Sequence, residues 1–73
     1  MLYFVHEIKR ESDAVTKGIV VSDTFEAARQ TYHAYLGAYA YGHQPGCDFV
    51  SCMISDQTGV VRDAETWNAA PVD

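Results

Sequence analysis

Asp23–Gly42, DTFEAARQTYHAYLGAYAYG, is the stretch that decides the fold. Phe25, Ala28, Tyr32, Tyr35, Leu36 and Tyr39 fall within about a 100° arc of a helical wheel, the apolar stripe of a helix lying on a core. At 3.6 residues per turn the segment predicts about five turns. Ser22-Asp23-Thr24 offers a choice of N-caps, and with Asp23 as N-cap Glu26 falls at N3, a D-x-x-E variant of the capping box. Gly42 stands where a left-handed C-cap glycine belongs, and Pro45 forbids continuation. The opposite side carries Ala27, Ala34, Gly37, Ala38 and Tyr41 where a solvated helix would carry charge. Gly37 costs about 1 kcal/mol relative to alanine inside a helix. Close approach of another backbone would offset that cost, so Ala34, Gly37 and Tyr41 are candidate partner contacts.

Outward from the helix, the chain reads as strands. Leu2–Arg10 alternates, with Leu2, Phe4, His6 and Ile8 on one side and Tyr3, Val5, Glu7 and Lys9 on the other. Ser12 and Asp13 are turn formers, and the β-branched run Val15–Val21 reads as the returning strand. Gly18 is read as a bulge or a close backbone approach. Beyond the loop Gly42–Gly46, Phe49–Ser55 alternates as a third strand. Asp56-Gln57-Thr58-Gly59 is a hairpin signal, a type I turn followed by a glycine at positive φ, and a fourth strand begins at Val60. Trp67 is expected to fold back onto an open edge of the core. The fold class is therefore α+β: ββαββ, a four-stranded antiparallel sheet in the order 2-1-3-4 with one helix on one face. Residues 1–67 form one domain and 68–73 a flexible tail.

One helix covers one face of such a sheet. With Phe4, Ile8, Ile19, Val21, Val50, Cys52 and Ile54 turned to the helix, the opposite face displays Tyr3, Val5, Val20, Phe49 and Met53. These five are the candidate self-association residues, because a large exposed apolar patch marks an interaction site. Seventy-three residues also sit near the lower limit of independent stability, where oligomerisation often supplies the margin.

Ten acidic residues against five basic ones give a net charge of −5. That sign opposes direct binding to a phosphate backbone and suits a basic partner surface, with Glu7, Glu26, Asp56, Asp63 and Glu65 as candidate contacts. The opening MLYFVHEIKR lacks the basic region and long apolar core of a signal peptide. No stretch approaches the ~20 apolar residues of a membrane span, so a cytoplasmic protein is expected. Cys47 and Cys52, roughly 15 Å apart along an extended chain, are too distant for a disulfide and are read as reduced thiols.

Catalytic and metal signals are weak. His43, Cys47 and Cys52 give H-x₃-C-x₄-C, but a zinc site needs a fourth ligand, and Cys52 is predicted inside a strand. His6 is placed on the helix-facing side as a satisfied core histidine, and His33 on the helix flank. No phosphate-binding glycine loop, G-x-S-x-G elbow or H-E-x-x-H helix occurs. Neither enzyme activity, metal nor cofactor is expected. Tyr32, Tyr35 and Tyr39 belong to the core stripe, which leaves Tyr41 beside His43 as the exposed tyrosine.

The run GIVVSDTFEAARQTYHAYLGAYAYGH, with DFVSCMISDQTGVV following, resembles short uncharacterised proteins found in prophages and mobile elements of gut Firmicutes. No activity is carried over residue by residue. The resemblance implies an accessory protein, a setting in which small acidic proteins act by inhibition. The expectation is a non-enzymatic, homo-oligomeric interaction module, dimeric by preference, such as an inhibitor that blocks a bacterial defence nuclease (anti-CRISPR-like). The alternatives are an oligomeric sponge for a small ligand such as a cyclic nucleotide, built from Tyr3, Tyr41, His43, Arg29 and Arg62, and a plain structural or assembly domain.

Overall fold

Alternation at both ends of the chain does produce strands, and each hairpin closes where its turn residues stand. The structure is a computed structural model that describes residues 1–69. Its elements are β1 (Tyr3–Glu11), β2 (Ala14–Ser22), α1 (Phe25–Tyr39), β3 (Cys47–Asp56) and β4 (Val61–Asn68). They form one antiparallel sheet in the order β2-β1-β3-β4, crossed on one face by α1. The ββαββ architecture and the strand order are those read from the sequence.

The first hairpin turns through Ser12 (φ 52°) and Asp13 (φ 66°). Two successive positive-φ residues make a type I′ turn, whose twist matches that of the flanking strands. The second turns through Asp56–Gly59. The Gly59 amide donates to the Asp56 carbonyl at 2.9 Å, and Gly59 takes φ 89° as the bulge residue. Gly18 is not a bulge: the β1–β2 register runs without a shift from Tyr3↔Ser22 to Glu11↔Ala14.

The helix is shorter than its pattern. Thr24, not Asp23, is the N-cap, and its Oγ1 accepts from the Ala27 amide at 3.1 Å. Capping one residue later makes Phe25 the first helical residue and sets its ring 5.5 Å from that of Tyr3. The D-x-x-E box is therefore not formed. At the other end Tyr39 is the last helical residue, and both Tyr41 (φ 58°) and Gly42 (φ 79°) are left-handed. Tyr41 thus takes the first left-handed position, at a cost of roughly 1–2 kcal/mol for a residue with a side chain.

The core forms where α1 crosses the two central strands. Val5, Ala28, Tyr32, Leu36, Val50, Cys52 and Ile54 are buried, with Tyr3, Phe25, Tyr35, Tyr39 and Trp67 packed around them. Trp67 lies within β4, opposite Val50. Of the expected tail, Asn68 closes β4 and the Ala69 amide donates to the Asp48 carbonyl at 2.8 Å. Residues 70–73 lie outside the described residues.

β1 and β2 show the faces opposite to those expected. Partners in a ladder share a face, and Val5 stands opposite Ile54 while Lys9 stands opposite Val50. Tyr3, Val5, Glu7 and Lys9 therefore lie under the helix, as does Val20 opposite Val5. Phe4, His6, Ile8, Ile19 and Val21 lie on the bare face. Both sides of β1 carry apolar residues, so its own pattern does not fix its phase. The register with β3 does, and a one-residue slip would invert every side chain.

Candidate functional site

The bare face is a grid built by ladder partnership. Its four rows are Val21–Phe4–Ser55–Val61, Ile19–His6–Met53–Ala64, Lys17–Ile8–Ser51–Thr66 and Val15–Arg10–Phe49–Asn68. Contacts between neighbours agree with this grid. His6 Nε2 and Ser55 Oγ are hydrogen-bonded at 2.9 Å, Ser51 Oγ and Thr66 Oγ1 meet at 3.2 Å, and the Arg10 guanidinium lies 5.8 Å from the Phe49 ring centre. Nine of these sixteen residues are apolar and none is acidic. At its margin the Asp48 carboxylate accepts from Arg10 Nε at 2.9 Å. Four strands about 4.8 Å apart and some 25 Å long give a footprint of roughly 400–500 Å². Apolar residues make up just over half of that footprint, and exposed apolar surface of this kind often serves binding.

The predicted self-association residues divide accordingly. Phe49 and Met53 lie on this face. Tyr3, Val5 and Val20 do not, because β1 and β2 are turned over. Val5 is fully buried at 0% exposure and offers nothing to a partner. His6, placed in the core by the sequence reading, faces outward instead.

The acidic candidates are dispersed. Glu26 is exposed on the first turn of α1. Glu7 is half-buried under the helix, and burial raises its pKa. Its Oε1 leans toward Gly18, 3.8 Å from where a side chain there would begin. Asp63 and Glu65 point to the helix side of β4. Burial pushes the Tyr32 phenol up to about 12, and the nearby Asp63 and Glu65 carboxylates add to the shift. The Asp63 Oδ1 also accepts from the Ala64 amide at 3.0 Å.

Asp56 is a turn anchor, which corrects its reading as a partner contact. It is buried, and Oδ1 accepts from the Thr58 hydroxyl, the Thr58 amide at 2.9 Å and the Val60 amide at 3.2 Å. Arg62 Nη1 reaches Oδ2 at 3.4 Å. The Thr58 hydroxyl bond is the leading cause holding this carboxylate below its ordinary pKa. The sequence signal for such an anchor is an aspartate followed two residues later by threonine and then glycine, the composition of a side-chain-closed turn.

On the helix back, Ala34, Gly37 and Ala38 are exposed, and nothing lies within 4 Å of a side chain built on Gly37. Tyr41 is exposed too, but it has left the helix: its ring stands 6.1 Å from Trp67 and 6.4 Å from His43. The residues of the ligand-sponge reading do not converge. Arg29 and Arg62 flank the Phe25 ring at 5.9 and 5.4 Å, with Tyr3 beside it. Tyr41 and His43 lie beyond the other end of a helix about 22 Å long.

Reactive groups are sparse. An open dip on the helix is lined by Phe25, Glu26, Arg29, Gln30 and His33, where Arg29 Nη2 lies 3.4 Å from His33 Nε2. Cys47 and Cys52 are buried free thiols, and burial pushes the Cys52 thiol up to about 11, far from the reactive thiolate range. Among the described residues no group of three or more His, Cys, Asp and Glu side chains is placed to hold a metal, and no helix is long and apolar enough to cross a membrane. In comparisons with known proteins no family model matches the chain, and neither a curated sequence nor a solved structure does.

Proposed function

We propose that this chain is a non-enzymatic protein-interaction module whose bare sheet face docks on an apolar surface of another protein. The observation that carries this reading is the composition of that face: it has no acidic position, although the chain holds ten acidic residues. Lys17 and Arg10 are its charges, and depletion of carboxylates around apolar and aromatic residues with arginine retained is a compositional trend of interface cores. The test is site-specific photo-crosslinking in cells from Met53 and, separately, from Ala34. Crosslinks to one protein from Met53 that disappear with Ile8→Glu support the reading. Crosslinks from Ala34 alone transfer the function to the helix back.

A second reading follows the setting that the resemblance implies: an inhibitor that lays its acidic side over the basic surface of a nucleic-acid enzyme such as a defence nuclease. What favours it is the position of Glu26 on α1 and of Asp63 and Glu65 on the helix side of β4, away from the bare face. Charge reversal at Glu26 and Glu65 that leaves inhibition of a purified nuclease unchanged would sink it.

A further inference from the structure

We propose that β2 is a self-pairing edge: two copies of this chain join their β2 strands antiparallel about a two-fold axis at Gly18, making one continuous eight-stranded sheet. The proposal rests on the free edge of β2 and stands apart from what the bare face binds.

Hydrogen-bonding groups come first. A two-residue hairpin loop makes its closing pair, Glu11 and Ala14, a hydrogen-bonded one, and such pairs alternate along the ladder. The amides and carbonyls of Ala14, Thr16, Gly18, Val20 and Ser22 therefore serve β1. Those of Val15, Lys17, Ile19 and Val21 point outward from the sheet. No side chain caps these four among the described residues, in contrast to Asp63, which fills the outward amide of Ala64 on β4. The β2 side chains are also open: Val15 is 65%, Ile19 62% and Val21 55% exposed. Lys17 is the single charge in nine residues. A long, exposed, β-branched edge with one charge is a template for another strand.

The register identifies the occupant as a second copy. Gly18 is the midpoint of Ala14–Ser22, so a two-fold axis there pairs all nine residues. Val15 then opposes Val21 of the other copy, and Lys17 opposes Ile19. These four outward-facing pairs (each contact occurs twice) can each exchange two backbone hydrogen bonds. Among the β2 residues themselves no like charges oppose one another, whereas an axis at Lys17 would set lysine against lysine; the like charges nearest the axis are the two Glu7 carboxylates, which lean toward Gly18 on the helix side. On the helix side Thr16 meets Val20, and Gly18 meets Gly18 at the close, non-hydrogen-bonded spacing of about 4.5 Å. The missing side chain there leaves room for the Glu7 carboxylate, which overhangs the same position in each copy. The assembled bare face runs on across the axis without an acidic residue between its halves.

Sedimentation equilibrium of the full chain over a concentration series tests the association, and cysteine pairing tests the register. The expected result is a reversible dimer of twice the 8.1 kDa chain mass. Val15→Lys with Val21→Lys sets like charges opposite at both ends and raises the dissociation constant roughly tenfold. Val15→Lys with Val21→Glu restores complementary pairs and recovers the affinity. Because all four positions are exposed, circular dichroism of each variant checks that the monomer is folded. Gly18→Cys self-crosslinks under mild oxidation, since paired positions at this spacing satisfy disulfide geometry. Val20→Cys does not, because two such residues stand about 13 Å apart in this register. A chain that stays monomeric at every concentration overturns the proposal. Crosslinking through Val20→Cys as fast as through Gly18→Cys also overturns it.

Discussion

β2 and β4 border the same sheet and solve the edge problem in opposite ways. β4 packs a half-buried Trp67 against the core, turns Asp63 and Glu65 toward the helix side, fills the Ala64 amide with the Asp63 carboxylate, and breaks its register with β3 between Ile54 and Ser55. Inward charges and bulges are the devices that stop strands from adding to an edge. β2 has neither inward charge nor bulge: its register with β1 is continuous, every residue but Ser22 is exposed, and Lys17 is its single charge. A 73-residue chain has little core to spend on two protected edges. On the proposed β2 pairing, closing one edge and leaving the other open allows growth in one direction and limits it to two copies.

The largest test of the contrast is energetic. Trp67→Ala is expected to cost about 2–4 kcal/mol, somewhat below the range for a fully buried tryptophan. Ile19→Ala is expected to stay within about 0.5 kcal/mol at concentrations where the chain is monomeric. Urea denaturation of both variants checks this, and equal losses would erase the distinction between the edges. Next comes Asp63→Ala, which uncaps the Ala64 amide and should cost about 1 kcal/mol. The same variant should produce species larger than a dimer by light scattering, because both edges are then open.

Acid sensitivity belongs to the β4 side. The Asp56 carboxylate has a folded pKa below its unfolded one, led by its bond from Thr58. Its contribution is present above the ordinary carboxylate range and is lost as pH falls through the folded value. Asp56→Asn should therefore show a shallower acid-induced loss of stability in a pH series of urea midpoints. The smallest effect belongs to the β2 side. Burial raises the Glu7 pKa, so its ionised form is a liability above that value and none below the unfolded one. Glu7→Gln should raise Tm slightly at pH 7, with the gain gone once both carboxylate forms are protonated.

The sequence made the architecture legible because local signals were strong: Ser12–Asp13 and Asp56–Gly59 mark the two hairpins, and the Phe25–Tyr39 stripe marks the helix. The phase of β1 was not legible. Phe4 and Ile8 compete with Tyr3 and Val5, and only pairing with β3, more than forty residues away, decides between them. The composition of the candidate face depended on that decision, so three of its five expected residues moved to the covered side. The Asp63 cap was hidden for a related reason, since a strand with charges on its helix side resembles a break in alternation. Asp56 looked like a surface acid because its partners are amides, which every sequence supplies without distinguishing them.

The two buried thiols have a consequence for how this protein is handled. Cys52 sits in the centre of the sheet and Cys47 at its end, both shielded while the sheet is closed. An alkylating reagent can reach Cys52 only when α1 lifts from the central strands, and Cys47 when the end of β3 frays. Each cysteine is thus a clock for a different opening event, and their relative labelling rates would separate local breathing from global unfolding without any added probe.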